Sequence, residues 1–353
     1  MSKKVLVAMS GGVDSSVAAF LLKKEGYQVT GVFLNFWKEK PSLENKCCST
    51  QSKKDARKVA RQLGIAFMEI DYSQLFKERV VNKFIEQQLA GKTPNPCVVC
   101  NKFIKLGDLL IKSRQLGFDF LATGHYLRVK KQVDCWRVFK AIDPKKDQSY
   151  FLYNLNQVKL KHLLFPIGEF TKSQVKVLAK KNGIITYNQP ESQDICFIPD
   201  SDTIGFLQRN ARGFRAGPII DQSGDTIGRH RGLPFYTIGQ REGLGVGGSN
   251  GPYYVVAKKV SQNKLVVTND QKSDELWQDQ LSLKNVNWIT GTEPKLPYKT
   301  DIKIRYNSPS TPGVIIRKGG IKIQFSKQVR AITPGQSAVF YKNQELVGGG
   351  IIT

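Results

Sequence analysis

The sequence predicts an α/β protein in which an N-terminal parallel-sheet domain is followed by a small central domain and a C-terminal β-barrel. Up to about residue 205, short β-branched runs alternate with helical stretches, which is the rhythm of βαβ units. Residues 206–280 are rich in glycine turns, and residues 281–353 consist of β-branched and aromatic runs separated by turn signals. The predicted domains are therefore 1–205, 206–280 and 281–353, a division that suits a chain of 353 residues.

The N-terminal elements follow in order from periodicity and residue type. Strands are predicted at residues 5–8, 29–34, 66–70 and 118–123, and helices at residues 15–25 and 53–63. In the last domain the predicted strands are residues 302–306, 314–318, 321–325 and 337–341. Their spacing favours a small closed barrel over a second α/β layer.

Composition points to a polyanionic partner. The chain has 54 Lys and Arg against 29 Asp and Glu, a formal net charge of +25, and the surplus is spread over both halves of the sequence. Such a field attracts nucleic acid, although charge alone also fits a generally cationic, soluble protein. With no long apolar run and no signal-peptide pattern, we expect a cytoplasmic protein that does not associate with a membrane.

Residues 10–15 (Ser-Gly-Gly-Val-Asp-Ser) join the first strand to the first helix. Glycines at such a junction expose backbone N–H groups, and the helix N-terminus adds positive potential, so the segment predicts a phosphate site. It lacks the Lys of the GxxxxGK[ST] pattern, which argues against ordinary γ-phosphate transfer. Asp14 makes electrostatic sense if it faces Mg²⁺ on the phosphates; the alternative is a purely structural turn.

The cysteines suggest thiol chemistry without defining it. Cys97 and Cys100 stand at CxxC spacing after Pro94 and Pro96, in what we expect to be a loop, and Cys196 lies in a polar surround. Such a set fits a redox pair, a sulfur-carrying nucleophile, iron–sulfur ligands or inert thiols. Zinc is a weaker candidate, because no second CxxC or spaced His pair is present. We expect Cys47, Cys48 and Cys135 to be structural, and six cysteines in this pattern do not predict a secreted disulfide framework.

The residue 10–15 motif resembles the PP-loop of the ATP pyrophosphatases, the adenine nucleotide alpha hydrolase-like enzymes that cleave ATP between its α and β phosphates. Further blocks resemble one branch of that group, the tRNA-specific 2-thiouridylases. These blocks are TPNPxxxCN (93–101), ATGHY (122–126), DQSYFL (147–152), LFPIGE (164–169), ICFI (195–198), GQREGLGVGG (239–248) and TPGQSAVFY (333–341).

The resemblance implies ATP-dependent thiolation at C2 of the wobble uridine in the tRNAs for Lys, Glu and Gln. ATP would adenylate the C2 oxygen, with AMP and pyrophosphate released. Cys196 matches the position that carries sulfur as a persulfide, and Cys100 matches the nucleophile that frees it by forming a disulfide with Cys196. The implied ATP-binding residues are Ala8, Met9, Ser10, Gly11, Gly12, Val13, Asp14, Ser15, Leu34 and Gly124.

For tRNA, the resemblance implies contacts by Asn95, Pro96, Cys97, Lys146, Asp147, Gln148, Arg305 and Tyr306. Without it, Lys146 would read as one more solvated lysine, and Arg305 and Tyr306 as ordinary outward residues of a strand. His125 follows Gly124 and fits either a substrate contact or a satisfied histidine at a strand end. The implied sulfur donor is a cysteine desulfurase or a relay protein.

Cys97 departs from the commoner family pattern, which has Asp at this position. A thiol does not simply replace a carboxylate as an acid or base, since its usual pKa is about 8.5 against about 4. The alternative route makes Cys97, Cys100 and Cys196 ligands of a [4Fe–4S] cluster. Two other readings remain, a tRNA-binding protein without chemistry and a different PP-loop enzyme such as argininosuccinate synthetase.

Overall fold

The structure is a computed structural model that describes residues 2–39, 49–133, 135–190, 194–246 and 251–353. Cys47 and Cys48, which we expected to be structural, and part of the GQREGLGVGG block lie outside the described residues. Within the described part of the chain, no helix is long and apolar enough to cross a membrane.

The strands in chain order are β1 Lys4–Ala8, β2 Gln28–Asn35, β3 Ala66–Asp71, β4 Phe120–Thr123, β5 Leu127–Gln132, β6 Cys135–Lys140, β7 Leu163–Leu164, β8 Gly217–Ile220, β9 Thr226–His230, β10 Tyr254–Lys259, β11 Lys264–Thr268, β12 Trp277–Trp288, β13 Tyr298–Lys303, β14 Thr311–Arg317, β15 Ile321–Arg330, β16 Ser337–Lys342 and β17 Glu345–Ile352.

The α-helices are α1 Val13–Lys24, α2 Thr50–Gln62, α3 Ser73–Phe76, α4 Asn82–Leu89, α5 Pro96–Cys100, α6 Leu109–Gln115, α7 Gln157–Leu160, α8 Lys172–Lys181 and α9 Thr203–Asn210. Lys77–Val81 and Asn101–Asp108 are π-helical, and short 3-10 turns occupy Ser149–Leu152, Pro199–Ser201, Leu233–Phe235 and Val260–Gln262.

The N-terminal sheet is parallel, with strand order β3-β2-β1-β4-β7. The central strand β1 is apolar, and its residues Val5, Leu6 and Val7 are fully buried, as expected for a strand covered on both faces. The chain moves outward from β1 in both directions, so the strand order reverses between β1 and β4. In such sheets, ligands bind outside the carboxyl ends of the strands at this point.

The C-terminal sheet closes into a barrel, because β12 pairs with both β15 and β17 around the order β12-β15-β14-β13-β16-β17. The hairpin β5–β6 from the N-terminal region joins this sheet, with Leu346 of β17 opposite Val138 of β6. Arg137 of β6 also forms a 2.6 Å ion pair with Glu345 of β17. The barrel and the N-terminal region are thus joined by a shared sheet.

Between them, the strands β10-β11-β8-β9 form a smaller sheet with its own apolar core, which includes Val255, Leu265 and Val267. The predicted fold class is therefore confirmed, with an N-terminal parallel sheet, a small central domain and a C-terminal β-barrel. The interior of the barrel is filled by a third cluster that includes Ile302, Ile315 and Phe340.

Two local predictions are wrong. The CxxC segment is not a loop, because Asn95 caps α5 by accepting a hydrogen bond from the Val98 N–H at 3.3 Å, so Cys97 and Cys100 lie on a helix. The predicted strand 302–306 ends early, because β13 ends at Lys303 and Arg305 and Tyr306 lie in the bend that follows it.

Candidate nucleotide and sulfur-transfer site

The loop at residues 10–15 is shaped by close backbone approaches. Gly11 has a φ of +80°, and a Cβ there would lie 2.2 Å from the carbonyl oxygen of Ser52 in α2. Helix α1 begins at Val13 without a side-chain cap, which leaves its first N–H groups available to an anion. Ser15 ties the loop together, since its Oγ accepts from the Ser10 N–H at 3.2 Å and donates to the Gly12 carbonyl at 3.1 Å.

Gly124 meets this loop from the end of β4. A Cβ at Gly124 would lie 2.7 Å from the Ser15 nitrogen and 2.8 Å from the Asp14 carbonyl carbon. Glycine is therefore required here by space and not by a left-handed backbone. The carboxyl ends of β1 and β4 are brought together at the switch point of the sheet.

Asp14 projects from the first turn of α1 into a pair with Lys172, the first residue of α8. Both carboxylate oxygens accept from the Lys172 Nζ at 2.7 Å, and Oδ1 also accepts from the Tyr126 hydroxyl at 2.7 Å. The Lys172 side chain is 9% exposed and that of Asp14 is 31% exposed. The ammonium of Lys172 thus balances the charge of the Asp14 carboxylate, while part of the carboxylate still faces the cavity.

A cavity of about 200 Å³ opens beside this pair. Of the predicted ATP-binding residues, its walls contain Ala8, Met9, Ser10, Asp14, Ser15, Leu34 and Gly124. Gly11, Gly12 and Val13 are not among the lining residues and form the turn of the loop. Gln148, predicted to lie beside the target base, also lines this cavity, where its Oε1 accepts from the Tyr126 N–H at 3.0 Å.

Several cavity residues were not predicted. Phe33 and Phe36 supply apolar and aromatic wall area suited to a purine ring, and Lys105 supplies a cation. Tyr126 and Lys172 belong to the ATGHY block and the segment after LFPIGE, but no local pattern distinguishes them from ordinary helix-end or strand-end residues. Only the fold brings Lys172 to Asp14.

His125 lines the same cavity and was left open between two readings. Its Nδ1 lies 2.8 Å from the Thr123 hydroxyl oxygen, and its ring packs edge-on against Phe165. Burial, assisted by the nearby Lys105 cation, lowers the pKa of His125 to about 3. The imidazole is therefore neutral at physiological pH and can act as a hydrogen-bonding group but not as a cation.

Of the three candidate sulfur-handling cysteines, Cys100 belongs to the N-terminal hydrophobic core and Cys196 packs against that core. Cys100 is buried, Cys97 and Cys196 are half-buried, and none of the three is in a disulfide. Next to Cys196, the ring of Phe197 packs against Phe76 and Phe84, on the helices that precede the CxxC segment. This packing anchors the Cys196 segment to the same core that includes Cys100.

The cysteines do not fit the iron–sulfur alternative. Among the described residues, which include Cys97, Cys100 and Cys196, no group of three or more His, Cys, Asp or Glu side chains is arranged to hold a metal ion. The donor set that a cluster would need is therefore not assembled, and we derive no step through one.

Mg²⁺ needs fewer protein ligands than an iron–sulfur cluster does. It commonly binds through one or two carboxylates together with substrate phosphates and water. Asp14 supplies one carboxylate at the wall of the cavity beside the phosphate loop, which fits that requirement.

The predicted tRNA contacts fall into two groups. Asp147 is largely buried, and its carboxylate accepts from the Ala141 N–H at 3.0 Å and from the Ser149 hydroxyl at 2.8 Å. It shapes the segment that carries Lys146 and Gln148. Asn95 and Pro96 begin α5, where Pro96 is buried and Asn95 is partly exposed.

Arg305 and Tyr306 are turned into the protein instead of outward. The Arg305 Nη2 donates to the Thr333 hydroxyl at 2.8 Å and to the Ala331 carbonyl. Burial, with Arg330 nearby, lowers the pKa of Arg305 from its very high usual value. The Tyr306 ring packs at a tilt against Phe151 of the DQSYFL block, with the ring centroids 4.5 Å apart. Arg305 therefore braces a loop within the barrel, Tyr306 connects the barrel to the N-terminal region, and the contacts of both residues to tRNA stay a prediction. Cys135, at the start of β6, is half-buried in the hairpin that joins the barrel.

Comparison with known proteins covers the chain from end to end. The model described as tRNA methyl transferase HUP domain matches residues 3–200, the tRNA methyl transferase PRC-barrel domain matches residues 204–269, and the aminomethyltransferase β-barrel domain matches residues 278–352. A solved complex of a 4-thiouridine synthetase with RNA and ATP shares 16% identity, covers 59% of this chain and 50% of that chain, and gives a TM-score of 0.37.

Relatives that match over nearly their whole length have a much higher sequence identity. The tRNA-specific 2-thiouridylase MnmA of Carboxydothermus hydrogenoformans is 44% identical, with 99% of this chain and 97% of the relative covered. The protein of the same name from Clostridioides difficile is 42% identical, with 100% and 98% covered, and tRNA-specific 2-thiouridylase MnmA 2 of Clostridium tetani is 44% identical, with 100% and 99% covered.

Proposed function

This chain belongs to the family of the tRNA-specific 2-thiouridylases, and on that premise we propose that it replaces the C2 oxygen of the wobble uridine of tRNA with sulfur in an ATP-dependent reaction. The expected substrates are the tRNAs for Lys, Glu and Gln. The expected sulfur donor is a cysteine desulfurase or a relay protein. The surplus of Lys and Arg suits the polyanionic substrate.

The phosphate loop and a predicted base contact lie at one cavity, and this supports the proposal most directly. Ser10, Asp14 and Ser15 of the phosphate loop line the same cavity as Gln148 of the DQSYFL block. Adenylation requires the α-phosphate of ATP to meet an oxygen of the base, so the phosphate-binding and base-binding parts must share one cavity. This arrangement supports an adenylating enzyme over a protein that only binds tRNA.

In the first step, the C2 oxygen of the uridine attacks the α-phosphorus of ATP. An O–P bond forms, the bond to the β-phosphate oxygen breaks, and pyrophosphate leaves with the electron pair. The N–H groups at the start of α1 orient the phosphates, and Phe33 and Phe36 hold the adenine in the cavity. Mg²⁺ held by Asp14 would neutralise charge on the phosphates when bound.

In the second step, the terminal sulfur of a Cys196 persulfide attacks C2. Cys100, as a thiolate, then attacks the Cys196 sulfur; the S–S bond of the persulfide breaks, and its electron pair stays on the transferred sulfur. The thiocarbonyl forms as AMP departs, and a Cys100–Cys196 disulfide remains. An external dithiol must reduce that disulfide before Cys196 accepts sulfur again. Placement of both cysteines on one core supports this pairing.

Cys97 occupies the position where many relatives have Asp, so its role differs from that of a carboxylate. It lies half-buried in the first turn of α5, one helical turn before Cys100. We propose that it contacts the target base together with Asn95 and Pro96. In the same proposal, Lys146, Asp147 and Gln148 also contact the tRNA, and Arg305 and Tyr306 complete the tRNA contacts from the barrel.

The sulfur route is tested by Cys196→Ser. We expect the variant to bind ATP and tRNA and to release pyrophosphate when tRNA is present, while producing no 2-thiouridine. Cys135→Ser is the matched control, because Cys135 is also a half-buried cysteine but lies in the β5–β6 hairpin. A Cys196→Ser enzyme that makes 2-thiouridine at the normal rate contradicts the assigned route. Wild-type enzyme that releases no pyrophosphate with tRNA contradicts the adenylation step itself.

A further inference from the structure

The main chain of Thr93, two residues before Asn95, is held by the barrel. The Thr93 N–H donates to the Pro334 carbonyl at 2.9 Å, and the Thr93 carbonyl accepts from the Gln336 Nε2 at 2.9 Å. Both backbone groups of this residue are therefore satisfied by one loop of the barrel. Backbone groups of a connecting segment are more often satisfied locally or by water.

The barrel loop that holds Thr93, residues 333–336, is itself held by further hydrogen bonds. The Gly335 N–H donates to the Ile352 carbonyl at 2.9 Å, and the Ile352 N–H donates to the Gln336 carbonyl at 2.8 Å. Gly335 has a φ of +94°, and a Cβ there would lie 3.1 Å from the nitrogen and the carbonyl carbon of Thr93. Arg305 braces the same loop through Thr333 at 2.8 Å. The loop therefore packs tightly against the segment, and a side chain at position 335 would require the segment to shift.

A second connection runs through side chains from the barrel to α5. The Tyr150 hydroxyl donates to the Ser337 carbonyl of β16 at 2.9 Å, and the Asn95 side chain lies next to that hydroxyl. Asn95 in turn accepts from the Val98 N–H at 3.3 Å and so caps the helix that carries Cys97 and Cys100. Tyr150 is fully buried. A line of contacts thus leads from a barrel strand, through Tyr150, to the residue that caps the thiol-bearing helix.

We propose that the barrel positions the catalytic helix, and that Tyr150 and Gln336 are positioning residues that hold Asn95 and the start of α5 at the reacting base. This inference rests on the proposed function and adds to it, because the barrel would contribute to the reaction rate and not only to tRNA affinity. Residues that set geometry at a distance change kcat, whereas a surface that only binds tRNA changes KM.

Tyr150→Phe tests the side-chain connection, with Tyr153→Phe as its matched control. Both tyrosines are buried and both are hydrogen-bonded to Ser337, Tyr150 to its carbonyl and Tyr153 to its hydroxyl at 3.2 Å. Of the two hydroxyls, that of Tyr150 lies next to Asn95, whereas that of Tyr153 lies next to Ser337 and Asn154. Loss of a buried hydrogen bond should lower Tm in both variants, so Tm reports the structural cost that they share.

In single-turnover thiolation with saturating ATP and tRNA, we expect Tyr150→Phe to lower the rate by about tenfold or more, as small displacements of a positioned group do. Tyr153→Phe should stay within about twofold of wild type, the scale of an effect that acts only through stability. The KM for tRNA should change little in both. Equal losses of rate in the two variants, or a change confined to KM, overturn the inference.

Gln336→Glu tests the main-chain connection, since the isosteric carboxylate cannot donate to the Thr93 carbonyl. Gln280→Glu, at an exposed position of the barrel strand β12, is the matched charge control. We expect only Gln336→Glu to lower the single-turnover rate, and Gln336→Lys, which restores a donor, to recover part of it. A fully active Gln336→Glu enzyme refutes this connection. If wild type itself makes no 2-thiouridine, the proposed function fails, which is a separate outcome.

Discussion

The pair formed by Asp14 and Lys172 gives the sharpest perturbation of the nucleotide site. Lys172→Met keeps most of the length of the side chain and removes the ammonium that contacts both Asp14 oxygens at 2.7 Å. Asp14 would keep its hydrogen bond from Tyr126 at 2.7 Å but lose its compensating charge. The result is an unbalanced carboxylate at the wall of a cavity built for anions.

The geometry of the pair gives expected sizes for two effects, the loss of stability and the loss of ATP affinity. Removing one partner of a fully buried pair costs about 3–5 kcal/mol, and because the Asp14 side chain is 31% exposed we expect the free energy of unfolding to fall by about 2 kcal/mol. Without divalent metal, repulsion between the bare carboxylate and the phosphates should weaken ATP binding by about 1–2 kcal/mol, or roughly tenfold.

The assay is a double-mutant cycle with Asp14→Asn, read by urea unfolding and by calorimetric ATP binding without metal. The double variant should recover ATP affinity relative to Lys172→Met, because no charge is left unbalanced. Lys180→Met, an exposed charge change on the same helix, should have little effect on either quantity. The account of this pair is refuted if the two substitutions are additive to within about 0.5 kcal/mol.

The remaining predictions concern two other residues of the site. Gly11→Ala should abolish ATP binding and destabilise the fold, because the added Cβ would lie 2.2 Å from the Ser52 carbonyl oxygen. The control is Gly26→Ala, since Gly26 has a similar φ of +87° but no atom within 4 Å of an added Cβ. This control should lower the free energy of unfolding, measured in urea, by only about 1 kcal/mol. Equal costs contradict the packing argument. For His125, the pKa is lowered to about 3 in the folded state, so between that pH and about 6.5 the unfolded chain binds the proton and the folded chain does not. The free energy of unfolding should therefore fall as the pH drops below about 6.5. In His125→Gln this fall should be shallower between pH 7 and 5. If the slope of stability against pH is the same in the variant as in wild type, the lowered pKa of His125 is wrong.

Local pattern was enough to predict much of the fold. The predicted helix at 53–63 corresponds to Thr50–Gln62 and the predicted strand at 66–70 to Ala66–Asp71, because apolar period and turn residues are both strong there. The strand predicted at 302–306 fails at its end. Arg305 and Tyr306 have strand-like residue types, but hydrogen bonds to Thr333 and stacking on Phe151 take them into a bend.

The site was predictable in its chemistry but not in its supporting contacts. The phosphate loop and the three cysteines stand in recognisable motifs, whereas the partners that fix them are distant in sequence. Lys172 lies 158 residues from Asp14, and Gln336 lies 243 residues from Thr93. No local periodicity records such pairings, since they arise only when the sheet order and the barrel closure are in place.

The CxxC segment shows the same limit at short range. Pro94 and Pro96 suggested a rigid loop, but a proline at the first position of a helix is favourable because its missing N–H is not needed there. Asn95 then supplies the cap. A pattern of cap, proline and short helix would have predicted the observed structure.

The central claim is that the C2 oxygen of the wobble uridine leaves as part of AMP. The direct measurement uses tRNA carrying ¹⁸O at C2 of that uridine, with ATP, Mg²⁺ and a persulfide donor, followed by mass spectrometry of both AMP and the thionucleoside. We expect AMP to carry the label in the same amount as 2-thiouridine is formed. Unlabelled AMP alongside 2-thiouridine would contradict adenylation of the base.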